Sequence, residues 1–179
     1  MNVPVTYFTR VQQISLILLR TAIGWHFLYE GYFKLVYPAW SRAGTPLEPF
    51  SSGGYLQGAS GPLGDLFRSM AQPAFLPWID GAVAVALVVA GLMLMLGLLT
   101  QLGCVIAAVL LAAFYLSAMP LTGLPVPRAE GTYLIVNKNL IELLAVAVVM
   151  AFRTGRIAGL DLLLRRRRSA ALQPTETLP

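Results

Sequence analysis

The sequence predicts an all-α fold: a polytopic membrane four-helix bundle with both termini cytoplasmic. A long ordered extracytoplasmic loop joins helices 1 and 2, and an interfacial helix follows the last span. Three observations carry this. The 179 residues are 57% apolar and 12% charged, with mean hydropathy +0.70. That is too little charge for a soluble domain of this size. Four apolar stretches near the length of a bilayer crossing recur, at about 14–37, 79–99, 102–119 and 133–152. Finally, the basic residues divide unevenly between the two sides. Arg10, Arg153, Arg156 and Arg165–Arg168 fall on one, with Arg42, Arg68 and Arg128 on the other. The richer side is the cytoplasmic one by the positive-inside rule.

The first stretch reads ISLILLRTAIGWHFLYEGYFKLVY and ends before Pro38, which cannot continue a helical ladder. Residues 38–78 form the first outer loop. Its PLEPF, SSGGY and GASGPLGD strings favour turns. Its aromatics (Trp40, Phe50, Tyr55, Phe67, Phe75, Trp78) argue for an ordered cap on the bilayer surface rather than a disordered linker, with a short helix near Gly64–Ala71. The second and third stretches are separated only by Thr100 and Gln101, which predicts a tight antiparallel hairpin. Gly91, Gly97, Gly103, Ala107 and Ala108 would let those two helices approach closely. A second Pro/Gly-rich loop spans 120–132. After the fourth stretch, about 154–164 reads as an interfacial amphipathic helix, and 165–179 as a basic run with a disordered tail. The sequence is thus one membrane domain, 1–164, with a short extension.

Several function classes drop out. The pI near 9.7 reflects a basic run suited to an anionic membrane face, so no nucleic-acid partner is expected. One cysteine, Cys104, allows neither an intramolecular disulfide nor a two-thiol redox centre. One histidine, His26, allows no multi-histidine metal or bis-histidine haem site within the chain. No phosphate-binding glycine loop or nucleophile triad occurs.

The informative residues are the ionisable ones inside the apolar stretches. Such groups cost roughly 2.5–3.5 kcal/mol each on insertion scales and are usually partnered and often functional. Glu30 and Lys34, and Lys138 and Glu142, are spaced i, i+4 and so share helix faces. Antiparallel helices would bring both pairs to similar depth in the outer half, as a compensated cluster. Purely structural neutralisation, with Lys34 and Lys138 reaching the outer headgroups, is the alternative role for these four. Arg20 lies deeper and shares a helical stripe with Gly24, Phe27, Gly31 and Lys34. His26 is either a hydrogen-bonded core histidine or a proton carrier. Trp25 and Tyr29, with Phe27, Tyr32 and Phe33, form either an interface belt or a surface for a flat ring. Asp80 opens the second stretch as an anion favoured by the helix dipole.

The run LLRTAIGWHFLYEGYFKL resembles the opening signature of the DoxX/DoxD membrane proteins, and YLIVNKNLIE with its following tail resembles their fourth helix. The resemblance covers about Leu16 to Leu164. It implies a four-helix protein of a bacterial or archaeal cytoplasmic membrane. It also implies an activity like that of the small subunit of thiosulfate:quinone oxidoreductase, which oxidises thiosulfate to tetrathionate with quinone as acceptor. Motif positions carried over are Arg20, Glu30, Lys34, Lys138, Asn139 and Glu142. On that reading Glu30, His26 and Glu142 would handle protons. Arg20, Lys34, Lys138 and Asn139 would bind a small oxyanion, helped by Asn137, and Trp25 and Tyr29 would flank quinone. Besides the lipid bilayer, a redox partner subunit or further copies of the chain are expected. Two other classes stay open: a non-catalytic membrane scaffold, and a small anion or proton transporter, which the lack of an inverted repeat disfavours.

Overall fold

Helix dominates the computed structural model, which describes residues 8–35, 50–59, 62–118 and 135–164. The second loop at 120–132, the basic run at 165–168 and the tail to 179 lie outside the described residues. Four long helices carry the fold: α1 (Arg10–Leu35), α4 (Leu76–Leu96), α5 (Thr100–Ser117) and α6 (Lys138–Ala151). Two short ones, α2 (Gly53–Gln57) and α3 (Gly64–Met70), lie between α1 and α4. Of the long helices, α4 and α5 are long and apolar enough to cross a membrane.

The four long helices neighbour one another in the order α1, α4, α5, α6 and back to α1. The α1–α4 seam is the most extensive and α6–α1 the sparsest. Glycine explains the first. A Cβ on Gly91 would sit 2.5 Å from Leu28 N and 2.8 Å from Gly24 O. One on Gly31 would sit 2.7 Å from Val88 N. Backbone therefore meets backbone, and the buried stripe Arg20, Gly24, Phe27, Gly31 read from the sequence is the face that does it. Gly91 serves this seam rather than the expected α4–α5 one. Gly103 does face α4, against Met93 and Leu94. The main core joins Ile23 and Phe27 to Leu87, Ala90, Leu94, Cys104, Ala107, Leu111, Val146 and Val149.

The α4–α5 turn lies at 97–99, with Thr100 and Gln101 already inside α5. Gly97 ends α4 at φ 62°, a left-handed conformation that glycine adopts without a Cβ penalty. The Leu98 N–H then donates to Met93 O.

At the opposite end, α2 and α3 bury Leu56, Ala59, Phe67 and Ala71 against Leu76, Ile79 and Leu116. This is the described part of the loop expected at 38–78, of which 38–49 and 60–61 lie outside the described residues, and α3 falls where a short helix was expected. Asp80 Oδ1 accepts from the Ser52 backbone N–H at 2.8 Å and from its hydroxyl at 2.5 Å. Asp80 therefore ties the cap to α4 and has a specific partner beyond the helix dipole.

Two further expectations change. The fourth helix begins at Lys138 instead of near 133, because the Asn137 side chain caps it by accepting from Leu140 N–H at 3.0 Å. Residues 154–164 are not one helix. A 3-10 turn (Thr154–Arg156) and a helical turn at 160–164 flank Gly159, which has φ 129°. Thr154 and Gly155 are buried against the bundle, so this segment packs rather than floating on a surface.

Candidate functional site: a polar seam between α1 and α6

The sparsest seam holds the polar groups. His26 Nδ1 lies 2.5 Å from Glu142 Oε1, joining α1 to α6 across the sequence. The His26 side chain is 33% exposed and that of Glu142 is 13% exposed. One turn further along α1, Lys34 Nζ donates to Glu30 Oε2 at 2.5 Å. Lys34 also stands 4.9 Å over the Phe50 ring, so the cap covers this side of the pair. Lys138 and His26 are close enough for their charges to act on the Glu30 carboxylate. Two acids and three basic groups thus form one cluster. Glu142 pairs with His26 across the two helices, while Glu30 and Lys34 pair within α1 at the i, i+4 spacing.

Two contacts set the place of this cluster along the helices. Gly31 lies against Val88, near the middle of α4. Gln101 Nε2 donates to Met150 O, fixing the register of α5 with α6. Glu142 is eight residues before Met150, or about 12 Å along α6. Since α5 is 18 residues long, Glu142 stands about midway along its neighbour. The His26–Glu142 contact is therefore near the middle of α5, while Lys34 and Lys138 stand at the cap ends of α1 and α6.

The other expected residues separate into three groups. Trp25 and Tyr29 are about half exposed on α1, with ring centroids 6.4 Å apart, and Tyr29 packs on Phe33 at 4.4 Å. They flank His26 in sequence. Lys138 is exposed and Asn139 half-buried in the first turn of α6. Asn137 is occupied as the cap of that helix. Arg20 is elsewhere: it precedes Lys34 by fourteen residues, about 21 Å of helix. It cannot share a small anion with Lys34 and Lys138.

Arg20 belongs to a clasp at the turn end. It is 3% exposed, and Nη1 donates to Ala158 O at 2.7 Å. The Leu99 and Thr100 N–H groups, at the start of α5, donate to Asp161 Oδ1 and Oδ2 at 2.7 and 2.9 Å. The Asp161 N–H donates to Gly97 O. Burial pushes the Asp161 carboxyl up, but hydrogen bonds from Thr100 and Leu99 and the charge of Arg20 outweigh it. The group is held below the ordinary carboxylate range. Leu99 and Arg153 take left-handed backbone at φ 48° and 46°, which costs non-glycine residues about 1–2 kcal/mol each. The clasp, which sequence reading missed, holds Leu99 in that conformation through Asp161. A cleft of about 230 Å³ beside it is lined by Thr100, Arg153, Arg156 and Asp161. It is smaller than ordinary ligand pockets and is formed by the clasp itself.

No family model matches the chain, and no curated protein or solved structure matches it.

Proposed function

We propose that the chain is a four-span membrane subunit of a quinone-linked oxidoreductase, with the turn end and both termini cytoplasmic. On this reading α1 and α6 cross the bilayer beside α4 and α5. The 14 residues of α6 give about 21 Å, so its flanking segments must complete the crossing. The observation that carries the reading is the His26–Glu142 contact. It is a partly exposed acid–imidazole pair at mid-depth on the loosest seam, flanked by two half-exposed aromatic rings. The residues fit a flat, lipid-soluble ring arriving sideways from the bilayer.

A quinone bound there would accept two electrons and two protons per turnover. Glu142 holds Nδ1 of His26, which orients the imidazole and leaves its other nitrogen to hold or deliver a proton. Glu30, beside His26 and Lys138, is the second carboxylate that can pass a proton along the seam. Trp25 and Tyr29 supply apolar ring faces. Lys34, Lys138 and Asn139, towards the cap, are the donors suited to a small oxyanion such as thiosulfate. Two thiosulfates joining as tetrathionate release the two electrons that a quinone takes up. Because no redox centre is evident in the sequence, the substrate must reduce the quinone directly or a partner subunit must relay the electrons. Membership of the DoxX/DoxD family is part of this proposal and rests on the quoted strings.

A membrane scaffold is the second reading, favoured by the ion pairing of Glu30, Lys34, His26 and Glu142 within the protein. The test is reduction of a short-chain quinone by thiosulfate with the purified chain in nanodiscs. Activity, or saturable quinone binding, that Glu142→Gln abolishes without unfolding supports the oxidoreductase. Loss of folding in that variant, with no ligand response in the wild type, supports the scaffold.

A further inference from the structure

The outward face of α4 is bare and regular. Phe75, Trp78, Ala82, Val85, Leu92 and Leu96 are all exposed and follow one another at helical i, i+3 or i, i+4 spacing, with half-buried Val89 completing the row. Trp78 at its cap end is 80% exposed. From Trp78 to Leu96 the row runs eighteen residues, about 27 Å of helix, close to the roughly 30 Å hydrocarbon core of a bilayer. Asp80, the sole charged residue of α4, stands off this row and is engaged by Ser52 of the cap.

Two occupants could cover such a row: lipid, or a helix from a second copy. The division of residue sizes decides between them. Helices that pair closely without water do so through small residues, and α4 has already placed Ala84, Ala90 and Gly91 on its buried faces. What it turns outward is mostly bulky, without polar groups to specify a protein partner. The row also ends in Trp at the cap and stops at the Gly97 turn, as a lipid-facing helix with one interfacial aromatic should.

We propose that this row is the lipid contact of α4 and that Trp78 is its anchor in the headgroup layer at the cap end. The inference rests on the membrane reading above and adds a position to it. The bilayer boundary passes through Trp78, directly beneath the cap, while Trp25, next to Gly24 and so level with Gly91 to Met95, lies towards the turn end of α4.

The three tryptophans allow a direct test with the full chain in phosphatidylcholine vesicles. Trp25→Phe with Trp40→Phe leaves Trp78 as reporter; Trp40→Phe with Trp78→Phe leaves Trp25. Lipids brominated near the headgroup should quench Trp78 several-fold more strongly than lipids brominated near the chain end. Trp25, set towards the opposite end of α4, should also be bromine-quenched, and aqueous iodide should quench neither. If iodide quenches Trp78 and bromine does not, while Trp25 remains bromine-quenched, the anchor is wrong and the membrane reading stands. If Trp78 escapes both quenchers, a second protein surface covers the row and the proposal is overturned. If neither tryptophan responds to bromine, the membrane reading falls and the anchor with it.

Discussion

Helix α1 has two working faces that solve opposite problems. Towards α4 it presents Gly24, Phe27 and Gly31, and the two backbones close until no Cβ fits at the crossing. Towards α6 it presents His26 and a sparse contact held by a single acid–imidazole pair. Packing of the first kind gathers many small dispersion contacts and tolerates no change of volume. The second kind leaves room and places charge where charge is costly. On the proposed function, stability and chemistry fall on different sides of one helix. Substitutions on the two faces should therefore fail in different ways.

The largest effect belongs to Gly91→Ala. Its new Cβ would strike backbone atoms of Leu28 and Gly24, which cannot rotate away. A loss of about 3 kcal/mol is expected, read as a lower unfolding midpoint in nanodiscs. Arg20→Met should come next, at about 2 kcal/mol, because it strips the donor from the Ala158 carbonyl and the opposite charge from Asp161. Arg20→Lys should restore only part of this, since a single ammonium does not reproduce the guanidinium fork.

Asp161→Asn should cost about 1 kcal/mol, the size of a lost helix cap. The same residue predicts a pH signature. Its folded-state value is depressed, so its contribution is complete above the unfolded value near 3.9. The contribution is then lost as pH falls through the lower folded value. Wild type should therefore lose stability more steeply than Asp161→Asn below about pH 4, measured as midpoint against pH. Parallel curves would contradict the clasp. Smallest in stability is Glu142→Gln, below about 1 kcal/mol, since helix-to-helix hydrogen bonds in membranes average near 0.6 kcal/mol. A larger loss there would erase the contrast between the two faces.

Much of this could be read from the chain, and the rest failed for identifiable reasons. The helix positions follow from apolar runs, and the Arg20–Gly24–Phe27–Gly31 stripe follows from the 3.6-residue period. The start of α6 was legible in principle: Asn137 is a strong capping residue, but the apolar Tyr133–Val136 ahead of it imitates a helix. The charged residues were recognised as a cluster and the i, i+4 spacing marked Glu30 with Lys34, but no local pattern joins His26 to Glu142. The clasp was invisible because Asp161 acts on Leu99 and Thr100, about sixty residues earlier, and no local pattern encodes such a contact.

The central claim is that the α1–α6 seam takes a quinone through His26 and Glu142. The most direct measurement is a titration of a short-chain quinone into nanodisc-held protein. Trp25 fluorescence is followed in a Trp40→Phe, Trp78→Phe background, with and without Glu142→Gln. The account predicts saturable quenching whose midpoint rises at least about tenfold in Glu142→Gln, roughly 1.4 kcal/mol, while the thermal midpoints of the two proteins agree. Linear, unsaturable quenching that is identical in both would contradict it.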